Sequence, residues 1–212
     1  MDEIKRQLVE VSKLMYNKGM VNAFEGNLSI LDNDRIYITP SGVCKGILTE
    51  DMIMVTDMEG KVLEGNLKPS SEILLHIGAY RSRDDIKSVV HAHSPYSTAY
   101  ALANKPIETK AYPEMITLFD KIPLAEYGTP STDKIFDGVK KYINEYDIIL
   151  LANHGIMAVG RDAYDAFFKL EAAESTARIF MLAKQLGGAK DLSSEQLEEL
   201  YEIRRKIGRA HV

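Results

Sequence analysis

Two histidines stand one residue apart in the stretch SVVHAHSP (residues 88–95), at the end of a short β-branched run. Residues i and i+2 of a β-strand lie on the same face of a sheet, so this pattern predicts that both imidazoles point the same way. Serine followed by proline is typical of a helix start. The stretch therefore predicts a strand, a polar strand end and a helix that turns the chain away.

Length, charge and cysteine content limit the classes of protein that this chain can represent. The chain has 212 residues, 45% of them hydrophobic and 27% charged, which is typical of a globular protein. A net charge of −5 argues against a nucleic-acid partner. The sequence has no apolar run long enough to predict a membrane span. Its first residues are polar and lack the apolar core of a signal peptide. A single cysteine, Cys44, fits a reducing compartment. We expect one cytoplasmic domain over residues 1–212.

Short strands and a few helices alternate along the rest of the chain. Apolar residues at helical spacing predict a first helix over about 2–18, and a long helix is predicted from Asp162 to Leu186. The stretch PSSEILLHIGAYRS predicts a helix with a serine N-cap, and GTPST precedes a predicted helix to about Tyr142. Ser193 and Gln196 form a predicted capping box. Strand-like segments are NLSIL, RIYIT, MIMVT, KIPLAEY and the buried DIILLANHG.

This order of elements predicts the fold class. Several strands connect through hairpins and do not alternate regularly with helices, so the pattern favours a layered α/β sandwich with a mixed, largely antiparallel sheet.

A third histidine, His154, ends the buried strand DIILLA and is followed by glycine. With His91 and His93 it completes a possible three-imidazole metal site. Three nitrogen ligands and one open position are the pattern of catalytic zinc, whereas structural zinc sites use four ligands and more cysteine. Taken singly, each histidine is equally compatible with a hydrogen-bonded core or surface residue.

Glu72 is the next candidate for chemistry. It follows Ser70 and Ser71 at a predicted helix start, where a carboxylate also complements the helix dipole, so a structural role is an open alternative. His76 lies four residues later on the same helix face. We interpret His76 as structural, because nothing in the sequence places it with the other three histidines.

Small polar turns form a third group of candidates. They offer backbone N–H groups and neutral hydroxyl and amide donors, which bind phosphate beside a helix start without lysine. Ordinary turn and capping chemistry is the alternative for each turn by itself. None of the turns matches a Walker A or dinucleotide fingerprint. The candidate phosphate residues are Asn27, Ser41, Gly42, Ser70 and Ser71.

Five motifs occur in one order along the chain: GN, TPSG, KPSSE, HAH and NHG. Together, over roughly residues 4–185, they resemble the class II aldolase/adducin-head family, and within it most of all the branch that cleaves L-fuculose 1-phosphate. The resemblance implies a three-layer α/β/α sandwich with a mixed, mostly antiparallel central sheet. It also implies a homotetramer with its site at a subunit interface.

The resemblance assigns roles to these residues. His91, His93 and His154 match zinc ligands, and Glu72 matches a catalytic carboxylate that can also reach the metal. Asn27, Ser41, Gly42, Ser70 and Ser71 match a phosphate pocket. Tyr112, in KAYPE, matches a proton donor that the neighbouring subunit contributes.

The implied reaction is the reversible cleavage of a ketose 1-phosphate to dihydroxyacetone phosphate and a short aldehyde such as lactaldehyde. In such chemistry a metal ion stabilises an enediolate as a Lewis acid. Three imidazoles and a carboxylate suit zinc, and also cobalt, manganese or iron.

Four alternatives remain open within this reading. They are a 5-deoxypentulose-1-phosphate aldolase, a methylthioribulose-1-phosphate dehydratase, a pentulose-phosphate 4-epimerase, and a non-catalytic adducin-like interaction module. The epimerase branch resembles this chain less, since it prefers aspartate at the position of Glu72. Adducin-like heads lack the metal histidines. A hydrolase with an unrelated three-histidine zinc site would leave the serine and asparagine turns unexplained.

Two segments depart from the family pattern. The loop AEYGTPST is short and offers Tyr127 on the aldehyde side, and the C-terminal tail YEIRRKIGRAHV has no clear match. Both bear on the identity of the aldehyde.

Overall fold

A mixed eight-stranded sheet forms the centre of the protein, which a computed structural model describes over residues 3–206. Its strands run in the order β4-β3-β2-β1-β5-β10-β9-β8, and every neighbouring pair is antiparallel except β8 with β9. A separate pair is formed by β6 and β7. The strands are β1 Asn27–Asp32, β2 Arg35–Ile38, β3 Met54–Thr56, β4 Val62–Glu64, β5 Ser88–Ala92, β6 Ile107–Glu108, β7 Lys121–Ile122, β8 Leu124–Ala125, β9 Ile148–Leu151 and β10 Gly155–Gly160.

Residues 3–206 form six α-helices, of which α1, α3 and α5 pack directly on the sheet, and short 3-10 turns connect several of the elements. No helix in the described part of the chain is long and apolar enough to cross a membrane. The helices are α1 Glu3–Asn17, α2 Ile73–Ser82, α3 Pro95–Leu102, α4 Pro113–Leu118, α5 Ala163–Gln185 and α6 Ser194–Lys206, and the 3-10 turns are Lys45–Ile47, Glu50–Met52, Asp133–Phe136 and Val139–Lys141.

Strand alternation sends neighbouring side chains into two separate cores. Val90 and Ile156 lie in the core that packs against α1, α3 and α5. Val89 and Met157, each one residue away, lie in the other core with α2 and the 3-10 turns near residues 133–141. This two-residue period places helical layers on both faces of the sheet. The predicted three-layer α/β/α fold is therefore confirmed.

Local signals predicted several element ends correctly. The long helix α5 begins after Asp162, whose side chain accepts a hydrogen bond from the backbone N–H of Asp165 at 2.8 Å. Ser193 and Gln196 exchange reciprocal capping bonds of 2.9 and 3.2 Å before α6. The first predicted helix is α1, although Asp2 and the last six residues of the tail lie outside the described residues.

Two expectations from the sequence were wrong, and one strand was not foreseen. The segment to Tyr142 forms two 3-10 turns instead of one helix, with Gly138 so close to Glu126 that a Cβ would lie 2.5 Å from its carbonyl oxygen. The N-cap of α2 is Glu72 and not a serine, although the Ser70 hydroxyl accepts from the Glu72 N–H. Strand β10, Gly155–Gly160, was missed by the sequence analysis.

Candidate metal and sugar-phosphate site

His91 lies in the central strand β5, one residue before the strand ends, and its side chain is fully buried. Its Nδ1–H donates to the carbonyl oxygen of Ile156 on neighbouring β10, at 3.0 Å. Because a carbonyl only accepts, the hydrogen must be on Nδ1, which leaves the lone pair on Nε2. Nε2 faces away from the sheet, toward His93 and Glu72.

Three imidazoles converge beyond this strand end, as the sequence predicted. The ring centroids of His91, His93 and His154 lie 4.7 to 5.0 Å apart, and their candidate ligand atoms all lie within 4.8 Å of one another. The Nε2 atoms of His91 and His93 are only 3.1 Å apart. Three nitrogens directed at one point form a donor set suited to a divalent transition metal.

A tight turn between β9 and β10 brings His154 into this group. Asn153 has a positive φ of 58°, and Gly155 follows the histidine at the start of β10. A Cβ on Gly155 would lie 2.5 Å from the carbonyl oxygen of Ala92 and 2.8 Å from a ring carbon of His93. Only glycine allows the turn to pack so closely against the other metal candidates.

Glu72 lies between two of these rings. Its Oε2 is 3.2 Å from Nε2 of His91, and its Oε1 is 3.1 Å from Nε2 of His154. The Asn27 amide donates to Oε2 at 2.9 Å, whereas Oε1 is buried without a well-formed hydrogen bond. A buried carboxylate oxygen that has no well-formed hydrogen bond and lies beside imidazole nitrogens fits a metal ion as its partner.

Burial and proximity together set the protonation states of these groups. Burial lowers the pKa of His91 to about 3 and also lowers the pKa of His93, so both rings are neutral near pH 7. Burial alone would raise the pKa of Glu72, but His91, His154 and the Asn27 amide outweigh it and lower the pKa of the carboxyl. Neutral imidazoles beside an ionised carboxylate are the forms that bind metal.

The predicted phosphate residues lie beside this group. Asn27, Ser41, Gly42, Ser70 and Ser71 line a concavity of about 260 Å³ together with Glu72, His93 and His154. The two serine turns are tied to each other, because the Ser41 N–H donates to the carbonyl of Lys68 and the Ser70 N–H to that of Thr39. Those two N–H groups are therefore engaged, and the side-chain hydroxyls and the Gly42 and Ser71 N–H groups remain as candidate donors.

Tyr112 is not among the residues that line this concavity in its own chain. It is the residue before α4, and its ring packs edge-on against Phe180 with 6.2 Å between the centroids.

The structure adds three residues that the sequence analysis did not assign to the site. Glu25 lies with Oε1 3.5 Å from Nδ1 of His93. Lys45 is buried, lines the concavity and donates to the carbonyl of Val43, with no carboxylate within 4 Å among residues 3–206. His76 reaches Glu72 through Asn27. Only the four-residue spacing of Glu72 and His76 gave a signal for any of them.

A layered α/β domain with three imidazoles and a carboxylate beside a polar concavity has the architecture of a class II aldolase domain. The Class II Aldolase and Adducin N-terminal domain model matches residues 6–181, so the chain belongs to this family.

Named relatives share most of their length with this chain. It is 36% identical over 178 residues to the L-fuculose phosphate aldolase of Methanocaldococcus jannaschii, covering 84% of this chain and 96% of that protein. It is 31% identical over 199 residues to the 5-deoxy-D-ribulose 1-phosphate aldolase of Bacillus thuringiensis, covering 92% of each. A solved structure of L-fuculose 1-phosphate aldolase superposes with a TM-score of 0.88 at 31% identity, over 98% of this chain and 97% of the other.

Proposed function

We propose that the protein, as a single domain over residues 1–212, reversibly cleaves a ketose 1-phosphate such as L-fuculose 1-phosphate. The products are dihydroxyacetone phosphate and a short aldehyde. The observation that carries this proposal is the convergence of His91, His93, His154 and Glu72 beside a concavity. That concavity is lined by neutral hydrogen-bond donors suited to a phosphate group. The location is the cytoplasm, and the partners are the sugar phosphate and further copies of the chain in a homotetramer.

His91, His93 and His154 would hold the metal, zinc as the first choice, with Glu72 as a fourth ligand in the absence of substrate. When bound, the cation supplies Lewis-acid stabilisation of the negative charge that develops on the dihydroxyacetone phosphate fragment. Neutral imidazoles leave the positive charge of the cation undiminished, whereas cysteine thiolates would reduce it. The donor set also suits cobalt, manganese or iron.

Glu72 moves a proton at the carbon of dihydroxyacetone phosphate that becomes C3 of the ketose. In cleavage the carboxylic acid returns the proton to that carbon, and in condensation the carboxylate removes it. The short distances to His91 and His154 place the carboxylate beside the reacting fragment. The exposed fraction of the residue is only 8%, so little water competes for the proton.

The serine turns hold the phosphate group. The hydroxyls of Ser41, Ser70 and Ser71 and the N–H of Gly42 supply neutral donors, and Asn27 lines the same wall. Lys45 adds the positive charge. Burial lowers the pKa of Lys45, so its ammonium is destabilised until an anion such as phosphate approaches.

Tyr112 from a neighbouring subunit exchanges the proton with the hydroxyl that becomes the aldehyde. This part of the proposal is supported by the family resemblance and by the absence of Tyr112 from the residues that line the concavity in its own chain.

A 5-deoxypentulose 1-phosphate is the second candidate substrate. The relative from Bacillus thuringiensis bears the name of such an aldolase. Pro130 and Ser131, in the short loop after Tyr127, line the concavity, and Tyr127 itself is 58% exposed. Acetaldehyde would then replace lactaldehyde. The intact histidine set counts against a non-catalytic adducin-like module.

Condensation of dihydroxyacetone phosphate with a set of aldehydes tests the proposal. The zinc-loaded protein is incubated with dihydroxyacetone phosphate and lactaldehyde, acetaldehyde or glycolaldehyde, and ketose 1-phosphates are measured. We expect lactaldehyde or acetaldehyde to condense. If no condensation product forms and methylthioribulose 1-phosphate loses water instead, the proposed aldolase activity is wrong and the protein is a dehydratase. Epimerisation of a pentulose phosphate would favour the 4-epimerase.

A further inference from the structure

A buried chain of hydrogen bonds runs behind Glu72, away from the concavity. Asn27 Nδ2 lies 2.9 Å from Glu72 Oε2, and Asn27 Oδ1 lies 2.6 Å from Nε2 of His76. On its other side, Nδ1 of His76 lies 2.6 Å from the Ser29 hydroxyl, which lies 2.5 Å from the hydroxyl of Tyr80. These four residues behind Glu72 are all at most 5% exposed.

The carboxylate fixes the direction of every hydrogen bond along this chain. An ionised carboxylate only accepts, so the Asn27 group that faces Glu72 must be its NH₂. The amide oxygen then faces His76 and requires a donor, which places the imidazole hydrogen on Nε2. Nδ1 is left as an acceptor for the Ser29 hydroxyl, and Ser29 accepts in turn from Tyr80. Each of the four side chains behind Glu72 therefore has a hydrogen-bond partner in this row.

His76 is neutral in this environment, because burial lowers its pKa to about 4. The imidazole therefore offers one donor and one acceptor, and both are used. Without the Nε2–H, the Asn27 amide could rotate and turn its oxygen toward the Glu72 carboxylate. Two acceptors would then face each other in a buried site, and the carboxylate would be displaced from its position between His91 and His154.

We propose that His76 is a positioning residue, which orients the Asn27 amide so that it donates to Glu72 and holds the carboxylate beside His91 and His154. The identity of Glu72 as the proton-transfer group rests on the proposed function. The hydrogen-bond order itself does not, since it follows from the distances and from the donors and acceptors present.

The tautomer of His76 is the first test, and it does not require catalysis. We expect nitrogen NMR spectra of the ¹⁵N-histidine-labelled full chain, with zinc, to show a neutral Nε2–H tautomer for His76 at pH 7. The His76→Gln variant assigns the signal among the five histidines. An Nδ1–H tautomer or an imidazolium at that pH would overturn the proposal.

Proton exchange on dihydroxyacetone phosphate, followed in D₂O, is the second test. In His76→Met, which lacks a donor, we expect kcat for exchange to fall about 10- to 100-fold, the range typical of partners behind a catalytic ligand. KM should stay unchanged, and zinc content should fall no more than in Glu72→Gln. His76→Gln keeps an N–H near the position of Nε2 and should retain most of the exchange rate. Equal losses in the two variants would contradict the positioning role.

Two further variants separate positioning from a general loss of stability. In an Asn27→Ala background, His76→Met should change kcat for exchange by less than about 2-fold, since the residue it orients is already gone. Lys169→Met, at a buried ion pair with Asp147, should lower stability without lowering kcat for exchange. Independent, multiplicative losses at Asn27 and His76 would overturn the proposal. If the wild type shows no exchange, the proposed function fails, and the tautomer alone then decides the arrangement at His76.

Discussion

The Nδ1–H of His91 donates to the carbonyl oxygen of Ile156 at 3.0 Å, and this single bond determines which nitrogen of the ring faces the site. The bond exists because β5 and β10 are neighbours in the sheet. The backbone of β10 thus fixes the tautomer and orientation of the His91 ring, with the lone pair of Nε2 directed at the site. A metal ligand whose second nitrogen is held in this way needs no reorganisation when the ion binds.

Removal of one imidazole should abolish stable metal binding. We expect His93→Ala to lose most of its bound zinc during dialysis, because the variant lacks one of the four proposed ligands and binds the ion more weakly. Metal content after dialysis is the measurement. His76→Gln, which alters a histidine outside the group, is the matched control and should retain zinc. A full complement of zinc in His93→Ala would refute the assignment of that ligand.

Glu25 should strengthen metal binding through His93. Its carboxylate lies 3.5 Å from Nδ1 of the ring, where it favours the tautomer with the hydrogen on Nδ1 and the lone pair on Nε2. We expect Glu25→Gln to lower zinc affinity about 10-fold in competition with a chelator. Glu59→Gln, on the exposed turn after β3, is the control. Equal zinc affinities for both variants would show that Glu25 does not contribute to metal binding.

Gly155 should tolerate no side chain. A Cβ there would lie 2.5 Å from a backbone oxygen, and we expect Gly155→Ala to lower the free energy of unfolding by about 1 to 3 kcal/mol. His154 should move with the turn, so zinc affinity should fall as well. Chemical denaturation and metal titration measure the two effects. Wild-type zinc affinity in a folded Gly155→Ala protein would show that the turn does not position His154.

Lys45 should contribute to binding of the phosphate group. We expect Lys45→Met to raise KM for dihydroxyacetone phosphate about 10-fold or more, since a charge-assisted contact contributes roughly 1.5 to 3 kcal/mol. Lys68→Met, at an exposed lysine just before the serine turn, should leave KM unchanged. An unchanged KM in both variants would show that the ammonium of Lys45 does not meet the substrate.

The metal-free protein should lose stability in mild acid partly through His76. The folded pKa is lowered to about 4 from an ordinary value of 6.5, so between these values the unfolded chain binds the proton more strongly. The free energy of unfolding therefore falls as pH falls through this window, by about 2 kcal/mol from this group between pH 7 and pH 5. Urea titrations of the wild type and His76→Gln at both pH values test it, and equal pH dependence would contradict it.

Much of the fold was readable from local signals, since strand alternation, caps and apolar spacing act over a few residues. The three histidines could be grouped because each stands at or near a strand end. Strand β10 and the 3-10 turns before Tyr142 were missed, because packing of Gly138 against Glu126 and pairing of β10 with β5 are contacts between distant segments. The link from His76 to Glu72 was missed for the same reason, since Asn27 comes from another strand.

The most direct test of the central claim is deuterium incorporation into dihydroxyacetone phosphate in D₂O, with zinc-loaded wild type and Glu72→Gln. We predict exchange of one carbon-bound hydrogen by the wild type and a collapse of exchange in the variant, with only a modest fall in zinc content. Wild-type exchange in Glu72→Gln, at equal zinc content, would contradict the account.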